Sequence, residues 1–197
     1  MARTPRGDAA AKVLGAAGQL FYNRGIHAVG VDTVAAEAGT TKTALYGNFG
    51  SKDGLVTAYL RARDQRWQQQ IDQITATHSS PRARILAVFD AYEAWSSDTF
   101  RGCAFLNAAA EFPDPDHPVR EVVRHHKETV RSYLQAQLRR LGDDAGAATA
   151  DRLMLLLEGS IAMSMVSSDR QPLREARDLA DALLGPVDPG AANHSGT

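Results

Sequence analysis

A single cysteine, Cys103, stands in 197 residues. It has no partner within the chain, so a disulfide framework is excluded and a reducing compartment is suited. No apolar run approaches the roughly 18 to 20 residues of a membrane span. The stretch behind Arg3 and Arg6 is broken by Lys12 and Gln19, and it reads as a helix and not as a targeting segment. A soluble cytoplasmic protein with no membrane partner is expected. The phosphate-cradling glycine loop, the His-Glu-x-x-His zinc helix, the strained nucleophile elbow and the paired Cys-x-x-Cys are all missing. No catalytic residue, resident metal or cofactor is therefore expected. Convincing period-two alternation is missing too, which leaves no strand signal.

Charge is nearly balanced at -1, but it is unevenly placed. Residues 1–66 hold nine Lys/Arg against five Asp/Glu, or +4, and residues 67–197 hold thirteen against eighteen, or -5. A basic head on an acidic body suggests that only the head meets a polyanion. Helical spacing runs throughout. Val13, Leu14, Ala17, Leu20 and Phe21 line one face of a helix over 8–24, and Gly25 is placed to end it in the left-handed conformation. Val31, Val34, Ala35 and Ala38 mark a second short helix, closed by Gly39. Thr41 caps a third over 41–47, and Ser51 caps a long fourth with Asp53 in its first turn. Ser79-Ser80-Pro81 opens a fifth helix and Gly102–Phe112 carries a sixth, with prolines 113, 115 and 118 breaking the chain after it. Long amphipathic helices follow over 119–141 and 145–168, then a last one to Leu184. The fold class is all-α: a three-helix head over 1–52, a six-helix body over 53–185, and a disordered tail over 186–197.

Three short helices with a tight glycine turn suit a helix-turn-helix, whose second helix enters the major groove by its N-terminal end. The residues are more specific than the spacing. Leu20-Phe21 with Gly25, Val34-Ala35 with Ala38-Gly39, and Leu45-Tyr46, Phe49 and Ser51-Lys52 closely resemble the DNA-binding domain of the TetR family. That resemblance covers Leu14 to Leu55; the rest is similar only in helical architecture. It implies a homodimeric repressor that grips double-stranded operator DNA and is released by a small-molecule effector. It further implies DNA contacts at Thr33, Thr41, Lys42, Thr43, Tyr46, Asn48 and Lys52. The chemistry agrees: free N–H groups at a helix start favour phosphate, lysine donates to guanine or phosphate, and a threonine methyl touches thymine. Gly30 departs from the family's usual hydroxyl cap, with Thr33 a partial substitute, and Asn48 replaces a commoner histidine. A same-fold activator or ligand-independent regulator is the alternative. A binding protein or enzyme with a vestigial head fits less well, because the Thr41–Lys52 segment is intact.

The aromatic residues of the central helices are core by default, yet such helices enclose the effector cavity in proteins of this type. An apolar or aromatic effector is expected against Trp67, Phe89, Tyr92, Trp95, Phe105 and His126. The last two helices carry more apolar surface than one face can hide. Leu153, Leu157, Ile161, Leu173, Ala180 and Leu184 are expected to pair two copies in a four-helix bundle. Glu111, Asp114, Asp116, His117, His125 and His126 have no regular ligand spacing and read as a helix corner rather than a metal site. His125 and His126 diverge by about 100°, so one faces inward. Cys103 is either a small buried hydrophobe or a redox and electrophile sensor, the latter requiring a nearby cation.

Overall fold

The computed structural model describes residues 6–95, 100–143 and 145–186, with side chains from residue 9 onward. Among them are nine α-helices and no strand. The expected tail lies outside the described residues, apart from exposed Pro186.

The head is α1 (Arg6–Arg24), α2 (Val31–Glu37) and α3 (Lys42–Phe49). Gly25 ends α1 at φ +90°, and its N–H reaches the Phe21 carbonyl at 3.0 Å. Gly39 turns at φ +62° between α2 and α3. Only a residue without a Cβ adopts these angles at little cost. The Thr41 hydroxyl accepts the Ala44 N–H at 3.1 Å, and the Ser51 hydroxyl accepts that of Gly54 at 2.9 Å. Gly30 caps α2 with no side-chain bond, and exposed Thr33 supplies none in its place.

From Ser51 runs α4 (Lys52–Ala76), 25 residues, hence about 37 Å long. Its first turns belong to the head's core, which runs past residue 52: Leu55, Val56, Tyr59 and Leu60 are buried with Val13, Ala17, Phe21, Val34 and Leu45. Phe21 and Tyr59 meet edge to face at 5.8 Å.

The body adds α5 (Pro81–Trp95), α6 (Ala104–Glu111), α7 (Pro118–Arg140), α8 (Gly146–Ser167) and α9 (Gln171–Leu183). Helix α4 packs against α5 and α7, α8 against α7 and α9, and α9 also against α5. Pro118 opens α7 where a missing N–H costs nothing. Arg82 of α5 pins the end of α9 by bonding the Asp181 side chain and the Asp181 and Gly185 carbonyls. Helix α6 is shorter than its apolar stretch suggests, because Gly102 sits at φ +73° and Cys103 is extended. Among the described residues, no helix is long and apolar enough to cross a membrane.

The residues expected to pair two copies need correction. Leu153, Leu157, Ile161, Leu173 and Ala180 are at most 1% exposed within one chain, and Leu184 is half-buried against the same core. Helix α8 is apolar on more than one face, and the face bearing Leu153, Leu157 and Ile161 is the one turned inward. The opposite face leaves Leu155 (75% exposed), Met163 and Val166 (76%) outward, beside Leu179 and Leu183 of α9.

Candidate DNA interface and effector cavity

Helix α3 lies on the surface of the head, with Leu45 alone fully buried. Thr41, Lys42, Thr43, Tyr46 and Asn48 are all exposed, and Lys52 is half-buried at the start of α4. The structure thus gathers these six around one short helix, with Thr33 apart on α2. Lys42 Nζ reaches the Asp32 carboxylate at 3.0 Å, and this bond raises the lysine above its ordinary value. Asn48 folds back, its amide donating to the Ala44 carbonyl at 2.7 Å and keeping a second hydrogen free. Behind them, a Cβ on Gly54 would lie 2.0 Å from the Phe49 carbonyl oxygen, so no side chain fits there. That closeness sets the α3–α4 turn, and the sequence offers only a glycine in the first turn of a helix as a signal.

In the body, Trp67, Tyr92, Trp95, Phe105 and His126 surround one cavity together with Arg63, Cys103 and Ile161. Its free interior is about 20 Å³, room for a single water. A second hollow of about 110 Å³ lies against Trp67, lined also by Ile71, Val88, Val130 and Tyr133. Phe89 departs from expectation: its ring is buried in the core and reaches neither wall. Ile161, expected between two copies, is a cavity wall instead. Trp67 packs on Tyr92 at 4.0 Å and meets Trp95 edge to face at 5.7 Å.

The cavity's polar groups come from distant parts of the chain. His126 stacks on Phe105 at 3.6 Å, and its Nδ1 lies 2.6 Å from Asp64 of α4. A carboxylate only accepts, so Nδ1 carries the hydrogen and the imidazole is held as one tautomer. Burial is the largest influence on His126 and holds it below the ordinary histidine value, outweighing Asp64. His125 is exposed, as the divergence of neighbouring helical positions requires. Lys127 Nζ donates to Cys103 Sγ at 3.3 Å and pairs with Glu158 of α8. Burial opposes the ammonium, but Cys103 and Glu158 together raise Lys127 above its ordinary value. The cation beside Cys103 is therefore Lys127 of α7, 24 residues away in sequence. The Tyr92 hydroxyl is buried without a partner, and burial pushes it well above the usual tyrosine value.

Head and body are tied at a joint that no local pattern announces. Tyr22, near the end of α1, donates its hydroxyl hydrogen to the Gly102 carbonyl at 3.0 Å and accepts the Arg101 N–H at 2.8 Å. The Arg101 guanidinium caps the carbonyls of Tyr22 and Asn23. Glu111 accepts the backbone N–H groups of Ile26 and His27 at 2.8 and 2.6 Å. His117 accepts the Val119 N–H, and its other ring nitrogen meets Asp53 of α4 at 3.2 Å. Glu111 thus ties body to head, while His117 caps α7 and meets α4.

Two family models match: bacterial regulatory proteins of the tetR family over residues 13–59, and the tetracyclin repressor-like C-terminal domain over residues 81–180. The solved structure of SCO4454, a TetR-family transcriptional regulator from Streptomyces coelicolor, is 34% identical, with 90% of this chain and 95% of that chain covered and a TM-score of 0.85. The HTH-type transcriptional regulator YjdC of Escherichia coli is 26% identical over 87% of this chain and 91% of its own. The HTH-type transcriptional activator FasR of Mycolicibacterium smegmatis is also 26% identical, covering 84% of this chain and 73% of its own. With a helix-turn-helix head and a helical body both matched, the chain belongs to the TetR family and is a DNA-binding transcriptional regulator.

Proposed function

We propose that the protein is a homodimeric repressor that leaves its operator when an apolar or aromatic small molecule enters the body. Thr41, Lys42 and Thr43 at the start of α3 meet base edges and phosphates, with Tyr46 on the next turn. Thr33, Asn48 and Lys52 hold the backbone. The outward apolar residues Leu155, Met163, Val166, Leu179 and Leu183 join two copies. The two recognition helices then reach successive major grooves roughly 34–36 Å apart.

The observation that carries the release step is Arg63. Its guanidinium lies over the Tyr22 ring of α1 at 4.8 Å and over the Trp95 ring of the cavity wall at 5.4 Å. Arg63 and Trp67 both stand on α4, whose first turns build the head. Trp67 lines both hollows, and a shift of its indole would enlarge the space for an aromatic ligand and move Arg63 against Tyr22. A ligand acts only through its different affinity for the two geometries.

The test begins with a duplex selected by the protein from a randomised pool, with affinity measured at several salt concentrations. Apolar and aromatic compounds are screened by quenching of the Trp67 and Trp95 fluorescence, and each binder is titrated into free and duplex-bound protein. A coupling of about 1–3 kcal/mol, or about 5–150-fold, is expected in both directions. Equal ligand affinity in the two titrations overturns release. The M. smegmatis relative named as an activator gives specific support to the opposite sign of regulation. A reporter placed behind the selected sequence, with and without the protein, decides the sign.

A further inference from the structure

We propose that Cys103 is a covalent receptor for small α,β-unsaturated carbonyl compounds, and that an adduct there unfastens the head from the body. The inference rests on the DNA-binding reading for its biological consequence, though not for its chemistry. Four observations meet at this residue. Its sulfur lines the aromatic cavity. The Lys127 ammonium, itself largely buried, lies 3.3 Å from that sulfur. The Tyr92 hydroxyl, on a side chain 7% exposed, is buried without a partner in the wall of the same cavity. The residues just before Cys103 are the joint itself, since Arg101 and Gly102 hold Tyr22 of α1.

The chemistry needs no further reactant. The sulfur attacks the β-carbon and a C–S bond forms. The π pair of the C=C bond moves toward the carbonyl as an enolate. The α-carbon then takes up the proton that the thiol gave up. The sum is addition of S–H across the double bond, with nothing oxidised or reduced. Thiolate is the attacking form, and a neighbouring ammonium stabilises its charge. The unpartnered Tyr92 hydroxyl supplies a donor for the enolate oxygen, the role that oxyanion-stabilising groups serve in acyl transfer.

The mechanical consequence follows from space. The cavity of about 20 Å³ holds one water, so even a five-heavy-atom adduct overfills it and displaces a wall. A thioether is also a poorer acceptor for Lys127, which is left with Glu158 alone. The backbone before Cys103 is itself bound to the head, through the Gly102 carbonyl and the Arg101 N–H on Tyr22. Gly102 is at φ +73°, and a Cβ there would lie 2.8 Å from the Met165 sulfur of α8. Displacement therefore passes to the Tyr22 bonds.

The test treats full-length native protein with limiting methyl vinyl ketone, using 2-butanone as the saturated control. Intact mass and peptide mapping should show one adduct, on Cys103. Hydrogen exchange should quicken at the backbone amides of residues 22–24, and affinity for the selected duplex should fall about tenfold or more. Cys103→Ser should bind the duplex and ignore the reagent. Lys127→Gln should slow adduct formation about tenfold. Should that variant not fold, Lys127→Arg, which keeps the charge, should react at near the native rate. The proposal is overturned if Cys103 stays unmodified in native protein yet reacts in denatured protein. It is equally overturned if the adduct forms with exchange and affinity unchanged, or if Cys103→Ser is released just as readily. If no duplex is selected at all, the DNA reading fails on its own, while an adduct with faster exchange at residues 22–24 still supports the covalent joint.

Discussion

Glu111, the last residue of α6, holds a carboxylate oxygen 2.8 Å from the backbone nitrogen of Ile26, 85 positions earlier. Its second oxygen takes the His27 N–H. Burial works against the charge, but the two backbone donors prevail and hold Glu111 below the ordinary carboxylate range. A depressed folded value means stability fully present above the unfolded value of about 4.3 and lost as pH falls from there through the folded value. Glu111→Gln should cost about 1–2 kcal/mol at pH 7 and flatten the acid limb of the stability curve. Chemical denaturation of both proteins from pH 3 to 7 checks this, and parallel acid limbs would remove Glu111 from the joint.

Gly54 is expected to be the least replaceable residue behind the recognition helix. An alanine methyl would fall 2.0 Å from the Phe49 carbonyl oxygen. The backbone must move, at a cost of about 1–3 kcal/mol or more. Gly54→Ala should lower the melting temperature and misplace α3, weakening duplex binding beyond what the stability loss explains. Gly47→Ala, with open space around its Cβ, is the control and should melt no lower than the native protein.

Lys42 is parked on Asp32 in the free protein. The pair is exposed and contributes little stability, so its interest lies in DNA binding. Lys42→Ala should weaken duplex binding and alter base preference, whereas Lys52→Ala should weaken it uniformly and lower the salt slope by about one. Asp32→Asn removes the competing carboxylate and should strengthen binding at low salt. Affinity measured across salt concentrations tests all three. An unchanged slope in Lys52→Ala would exclude its phosphate contact.

The two faces of α8 should separate stability from assembly. Leu153→Ala opens a cavity in the core and should cost about 2–5 kcal/mol, with subunit association affected only through folding. Leu155→Glu alters a side chain 75% exposed. It should leave the helical content intact and shift the protein to monomers in analytical ultracentrifugation. A dimer unchanged by paired Leu155→Glu and Val166→Glu substitutions would place the interface elsewhere.

His126 should make stability fall in mild acid. Its folded value lies below the unfolded value of about 6.5, so the neutral form is the one folding prefers. That contribution is fully present above about pH 6.5 and is lost as pH falls through the folded value. Titration of the imidazole by NMR, beside urea denaturation between pH 5 and 8, measures the same linkage twice. A His126 that titrates above 6.5 would reverse the sign and show that Asp64 outweighs burial.

Much of the fold was legible because its signals are local. A hydroxyl at Thr41 or Ser51 caps the helix that starts beside it, and Gly25 and Gly39 turn the chain where they stand. Backbone bonds spanning a few residues decide such features without reference to the rest of the molecule. The head's surface residues were legible for the same reason, since a short helix with one buried position, Leu45, exposes the others. Five of six expected cavity residues came together because aromatic positions on the central helices had few other places to go. What only the tertiary structure decided is which face of a helix turns inward. Helix α8 is apolar on more than one face, and period alone cannot separate Leu153 from Leu155; the neighbours α7 and α9 do. The same holds for Phe89, which core packing holds away from the cavity. Glu111 with Ile26, Asp64 with His126 and Lys127 with Cys103 are pairs 85, 62 and 24 residues apart. No turn geometry links such partners, and they meet only because packed helices bring their side chains to the same place.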